Sequence, residues 1–164
     1  MRSSKNIFAD YFVFEIVLVL SFAVIVYCYD VARPTILSWL EEDRAIVVLP
    51  DAAVVKAEIA DDAEERRIGL SEHVFLDPDR GMLFLFDEPS RPAFWMKDMD
   101  FPIDIIWLRD GTVIGIEPSM PVSTDVNPPS VRPIDDINQV LEVNAGFALK
   151  HGLKPGQTLD IKLP

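Results

Sequence analysis

Charged side chains stand inside otherwise apolar runs of this sequence at Arg80, Lys97, Asp98, Asp104 and Glu142. A charge withdrawn from water costs on the order of several kcal/mol unless it is paired or hydrogen-bonded, so each of these residues is expected to have a partner. In one arrangement Lys97, Asp98 and Glu142 orient a polar ligand in a cleft beside the flat ring of Trp95. Arg80, Trp95, Lys97, Asp98, Asp104 and Glu142 are therefore the candidate ligand-binding residues. In a plainer arrangement Asp104 and Glu142 accept hydrogen bonds from the backbone or Lys97, holding strand ends and the 118–138 loop. A third uses Asp98 or Asp104 with Glu142 as a carboxylate pair, which would suit glycoside hydrolysis at a separation of about 5–9.5 Å.

Other chemistries lack their residues. The sequence has no nucleophile elbow, His-based metal motif, phosphate loop or Ser-His-Asp order. Its two histidines, His73 and His151, are far apart in the chain. The lone cysteine, Cys28, lies in the apolar N-terminal run, which leaves the rest of the chain no disulfide and no thiolate metal site. Thioethers such as Met82, Met96, Met99 and Met120 select Cu(I). Met96 and Met99 would nevertheless face opposite sides of a strand, and neither metal nor cofactor is expected. With 27 acidic against 15 basic residues, the net charge of -12 opposes the phosphate backbone, so nucleic acid is not an expected partner.

The elements that would position these residues begin with an anchor. Residues 11–29 read YFVFEIVLVLSFAVIVYCY, about the length an α-helix needs to cross roughly 30 Å of hydrocarbon. Only Glu15 interrupts the run, one turn from its start, and Tyr11, Phe12, Tyr27 and Tyr29 flank it as an interfacial belt. Neither a short signal-peptide core nor a small-residue cleavage site is visible. Arg2, Lys5 and the amino terminus precede the span, while Asp30, Arg33, Glu41, Glu42 and Asp43 follow it. The positive bias before the span is small, reduced by Asp10 and Arg33, and on it the C-terminal body is expected outside the cytoplasm. The expected organisation is a cytoplasmic segment 1–10, a single transmembrane helix 11–29, a juxtamembrane linker or interfacial helix 30–44, and a globular domain 45–164.

Within that domain, residues 53–60 alternate as a half-buried strand. Asp61 or Asp62 can cap a short helix ending at Gly69, with Glu64 and Glu65 in its first turn and Arg66 and Arg67 in its last, matching the helix dipole. Strands are expected at 81–86, 93–99 and 102–108, and Asp110-Gly111 is a strong hairpin signal between 102–109 and 112–117. The prolines of 117–138 cannot donate to a sheet ladder, so this stretch reads as a long irregular loop. A strand at 140–143, a helical turn and a last strand at 157–163 close the chain. The expected fold is mainly β: an antiparallel β-sandwich or partly closed barrel with one or two short helices, preceded by the transmembrane helix.

Several blocks then resemble a known family. RRIGL at 66–70, GMLFLF at 81–86, FWMK at 94–97 followed by PIDI at 102–105, LEVNAG at 141–146 and GLKPG at 152–156 occur in the order seen in the domain of unknown function 192 family. The resemblance covers about residues 54–162 and implies a small β-sandwich-like domain, often behind a signal or anchor segment, with no established activity. Ser71, Asp98, Met99 and Gln157 depart from the family's usual residues. The expected function is a non-catalytic, membrane-tethered binding or accessory domain on the extracytoplasmic face of the cell membrane, with an envelope glycan or protein as partner. A carbohydrate-acting hydrolase with paired carboxylates is the alternative.

Overall fold

The computed structural model describes residues 44–125, 128 and 130–164. The expected segment 1–10, the expected span 11–29 and all but the last residue of the expected linker lie outside them. Among the described residues no helix is long and apolar enough to cross a membrane.

Strands β1 (Ala45–Val48), β2 (Val54–Ala60), β3 (Arg80–Ser90), β5 (Ile103–Arg109), β6 (Thr112–Met120), β8 (Ile137–Asn144) and β9 (Asp160–Lys162) form one seven-stranded sheet in the order β6-β5-β8-β3-β2-β1-β9. The short strands β4 (Phe94–Trp95) and β7 (Ser130–Val131) pair with each other. At one end the two sheet edges meet: Gly156 N donates to Val113 O at 2.8 Å, Val113 N to Gln157 O at 2.8 Å, and Leu159 N to Gly111 O at 2.9 Å. The sheet is thus a curled half-barrel. It differs from an all-antiparallel sheet in one respect, because β2 and β3 run parallel. Helix α1 (Ala63–Ile68) and the 3-10 turn Gly69–Glu72 supply the crossover that a parallel pair requires.

Local chemistry accounts for most of these elements. Asp62 caps α1, accepting from Glu64 N and Glu65 N at 2.8 Å each, while Glu65 reaches back to Asp62 N. Asp110 (φ 49°) and Gly111 (φ 76°) both take the positive φ of a tight primed turn, as that dipeptide predicts. The structure corrects two expectations. The strand expected over 93–99 stops at Trp95 and gives way to a turn with Asp98 at φ 57°. The proline-rich stretch is less irregular than expected: β6 runs through Pro118 on the sheet edge, where a missing N–H is tolerated, and β7 lies within it.

Alternation along the strands divides the apolar residues into two cores. Val47, Val55, Leu83, Ile106, Leu108, Leu141 and Val143 fill the concave side, closed by α2 (Phe147–Lys150). Met82, Phe84, Ile105, Trp107 and Val140 lie on the convex side, covered by Leu70 and by Phe94, Met96 and Met99. Because a turn rather than a strand follows Trp95, Met96 and Met99 are buried in the same cluster and not on opposite faces. Burial on both faces explains why β5 and the end of β8 read as nearly continuous apolar runs.

Candidate functional site

The convex core does not fill completely. Between α1, the 3-10 turn, β3 and the β4 segment lies a cavity of about 240 Å³. Its walls include Phe84, Phe86, Phe94 and Trp95, and Glu142 of β8 opens onto it. The register puts Glu142 opposite Met82 on one side and Ile105 on the other, so its carboxyl rises from the middle of the sheet among apolar neighbours. Glu142 is only 5% exposed. Among the described residues no side chain or backbone N–H donates a hydrogen bond to it. Burial alone pushes its pKa up to about 8, since nothing offsets the cost of desolvating the carboxylate. At neutral pH the group is therefore mostly a neutral carboxylic acid.

Cations stand at the mouth. Arg66 is held in place, donating to Leu85 O at 2.8 Å with its guanidinium 5.2 Å above the Phe86 ring. Arg67 is engaged by Glu64 through bonds of 2.9 and 2.6 Å. Lys97 is half-exposed, and Asp98 Oδ2 lies 3.9 Å from its Nζ, a distance at which an exposed pair contributes little. Trp95 is 54% exposed beside it. Below, Phe94 packs edge-on against Phe84 at 5.0 Å and Trp107 at 5.3 Å, which fixes the aromatic wall.

Of the six residues singled out in the sequence, this cavity gathers Trp95, Lys97 and Glu142. Asp98 adjoins Lys97 but is not part of the lining; its left-handed φ is one that Asp and Asn adopt more readily than other residues with a Cβ, so the turn accounts for its type. Asp104 is fully buried on the other face of the sheet. There Oδ1 accepts from Ser119 N at 2.7 Å and Gly146 N at 3.0 Å, and Oδ2 from Ala148 N at 2.8 Å. Pro118 and Ser119 form a β-bulge opposite Asp104, so this carboxylate ties the bulge to the start of α2. Arg80 opens onto a separate depression shared with Arg44, Glu58 and His73.

The Asp104–Glu142 form of the expected carboxylate pair does not occur: Asp104 is in register with Val143 and Glu142 with Ile105, so the two acids project from opposite sides of the sheet and cannot flank one bond. Asp98, the other expected partner, lies outside the cavity lining. Glu142 is the one acidic residue among those lining the cavity. The expectation that Glu142 accepts a Lys97 or backbone hydrogen bond is likewise replaced by a carboxyl without a donor, whereas Asp104 holds structure as expected. Arg66, Arg67, Ser71 and Phe84 also line the cavity, and no spacing along the chain places them there. Residue type alone places the arginines at the helix dipole; only the crossover geometry turns that helix end toward β8.

Comparison with known proteins agrees with this architecture. The family model of DUF192, described as an uncharacterized ACR, matches residues 46–161, and the chain belongs to that family. A protein of unknown function from Novosphingobium aromaticivorans is similar in structure, with a TM-score of 0.64 and 28% identity over 71% of this chain and 83% of its own. A "putative transcription regulator" from Sinorhizobium meliloti is similar with a TM-score of 0.62 and 30% identity over 72% of this chain and 92% of its own. No curated protein matches the chain.

Proposed function

We propose that the protein is a membrane-tethered, extracytoplasmic binding or accessory domain, and that the cavity over Glu142 receives a small polar ligand of the envelope. One observation carries this reading: Glu142, a residue only 5% exposed whose carboxyl has no hydrogen-bond donor among the described residues, faces a cavity whose walls include aromatic rings. Such a group costs stability for as long as the cavity lacks a partner for it. A ligand that supplies the missing hydrogen bond recovers that cost, and the aromatic wall adds apolar contact. The tether is supported by the apolar run 11–29, and the outward orientation by the basic residues before it and the acidic ones after it. The net charge of -12 speaks against DNA as the partner, whatever the function of the Sinorhizobium relative.

The test is a thermal-shift screen of the full chain in detergent against monosaccharides, amino acids and short peptides, run in parallel on Glu142→Leu. A compound bound by the folded state alone must raise its melting temperature, by an amount that grows with concentration. The expected result is a shift in the wild type that is absent in the variant. If every compound leaves both proteins unmoved, or moves both equally, Glu142 is not part of a binding site. A reporter fused after residue 164 checks the orientation; activity on the cytoplasmic side alone would refute the tethered topology.

A further inference from the structure

The cavity's charges and size narrow the ligand further, on the condition that the binding reading above holds. We infer that the site takes a small amphoteric molecule, a free amino acid or a compound of that size and charge pattern, with its ammonium group on Glu142 and its carboxylate on Lys97.

The first step is the missing donor. Glu142 pairs in register with Met82 and Ile105 and shares the cavity with Phe84 and Met99, none of which can donate a strong hydrogen bond. The charged and hydroxyl donors that line the cavity are turned elsewhere: Ser71 Oγ donates to Ile68 O, Arg66 to Leu85 O and Arg67 to Glu64, while Lys97 has Asp98 at 3.9 Å. A hydroxyl could fill the gap, but an amide at position 142 would serve a hydroxyl as well and would not carry the cost of a buried acid. An ammonium group is different, because only a carboxyl can meet it with charge. Aromatic walls favour a cation through their ring quadrupoles, by about 0.5–2 kcal/mol per ring in favourable geometry. On binding, the Glu142 proton leaves to solvent and the ammonium takes its place, so one charge replaces another in the cavity and the pair is neutral.

The second step is the mouth. A simple monocation would approach past Arg66, Arg67 and Lys97 and meet like charge. An anionic group at the other end of the ligand turns that repulsion into attraction. Arg66 and Arg67 are already committed to Leu85 O and to Glu64, which leaves Lys97, whose one partner among the described residues is Asp98 at 3.9 Å, as the lining cation best able to turn to the ligand. From the other elements around Glu142, β3 and β5 contribute apolar side chains on this face, apart from Arg80, which opens onto the depression with Glu58 and His73.

The third step is size. A cavity of about 240 Å³ falls below the roughly 300–1,000 Å³ of drug-sized pockets and is of a size for a single amino acid.

Titration calorimetry of the full chain tests this, with the common L- and D-amino acids, their N-acetyl derivatives, their methyl esters, and glucose and N-acetylglucosamine as probes. At least one free amino acid should bind and release close to one proton at pH 7, measured in two buffers of different ionisation enthalpy. The release should fade above about pH 9, where a carboxyl with a pKa of about 8 is already ionised. Its N-acetyl derivative and its ester should each bind at least tenfold more weakly. Glu142→Gln should lose affinity for the free amino acid at least tenfold and abolish the proton release. Lys97→Ala should remove the preference for the free acid over the ester. Equal affinity in Glu142→Gln, or binding of a sugar or N-acetyl derivative without proton release, would overturn the amphoteric assignment while leaving a binding site in place. Absence of binding by every free amino acid overturns it too, and the broader thermal-shift screen then decides separately whether the cavity binds anything.

Discussion

Asp104 and Glu142 are buried acids on neighbouring strands, adjacent in the β5–β8 ladder, yet the two faces of the sheet treat them in opposite ways. On the concave side Asp104 accepts three backbone N–H bonds and binds a β-bulge to a helix start. On the convex side Glu142 accepts none among the described residues and faces a cavity. A buried acid is therefore not in itself a sign of function. What separates a structural acid from a candidate binding acid is whether the fold has already supplied its donors.

The largest expected effect is on the satisfied side. Asp104→Ala leaves the N–H groups of Ser119, Gly146 and Ala148 without their acceptor, at about 1–3 kcal/mol each, so urea denaturation should show a loss of about 5 kcal/mol. For a small domain of roughly 5–15 kcal/mol total stability, that approaches unfolding. A loss below about 1 kcal/mol would mean that Asp104 is not the tie described.

On the other face the sign reverses. The pKa of Glu142 is raised from its ordinary value of 4.5 to about 8, so the folded state holds a proton that the unfolded state releases. This contribution to stability is complete below about pH 4.5 and declines as pH rises toward 8, with a slope of up to ~1.4 kcal/mol per pH unit. Between pH 5 and 8 the wild type should lose about 3 kcal/mol relative to Glu142→Leu, which lacks the titration. Parallel stability curves for the two proteins would show that Glu142 has a partner in solution.

Gly81 joins the two regions, because it packs on the concave side under the backbone of Glu142. A Cβ there would lie 2.6 Å from Glu142 O and 3.1 Å from Val55 Cγ1, so something must shift. Gly81→Ala should cost about 2 kcal/mol by overpacking, read from the denaturation midpoint, and should displace Glu142 enough to weaken any ligand of the cavity. The smallest effect is expected at the cavity wall. Asp62→Ala removes the cap of α1 and should cost about 1 kcal/mol while leaving both cores folded, which a small drop in melting temperature with an unchanged near-ultraviolet spectrum would register.

Much of this architecture is legible along the chain because its causes are local. Asp62 with Glu65 writes the start of α1, Asp110-Gly111 writes the β5–β6 hairpin, and period-two alternation writes β2. Where the cause is distant, local reading misleads. Phe94 to Met99 has the composition of a strand, but the segment must fold over the convex core, so it turns at Asp98 and buries Met96 and Met99 together. The parallel β2–β3 pair escaped for a related reason, since a crossover helix as short as α1 resembles a hairpin connection until its partner strand is known.

Residue types and near-neighbour spacing are properties of the chain alone, and they suffice to reveal acids inside apolar strands and the motif blocks of the family. Only the tertiary structure decided which acid is satisfied. The register between β5 and β8 assigns each side chain its face, and hydrogen-bond donors reach those faces from residues far along the chain, 15 to 44 positions away for Asp104. No pattern along the strand records whether such a donor arrives. Its arrival at Asp104, and its absence at Glu142 among the described residues, separate a structural tie from a candidate binding group.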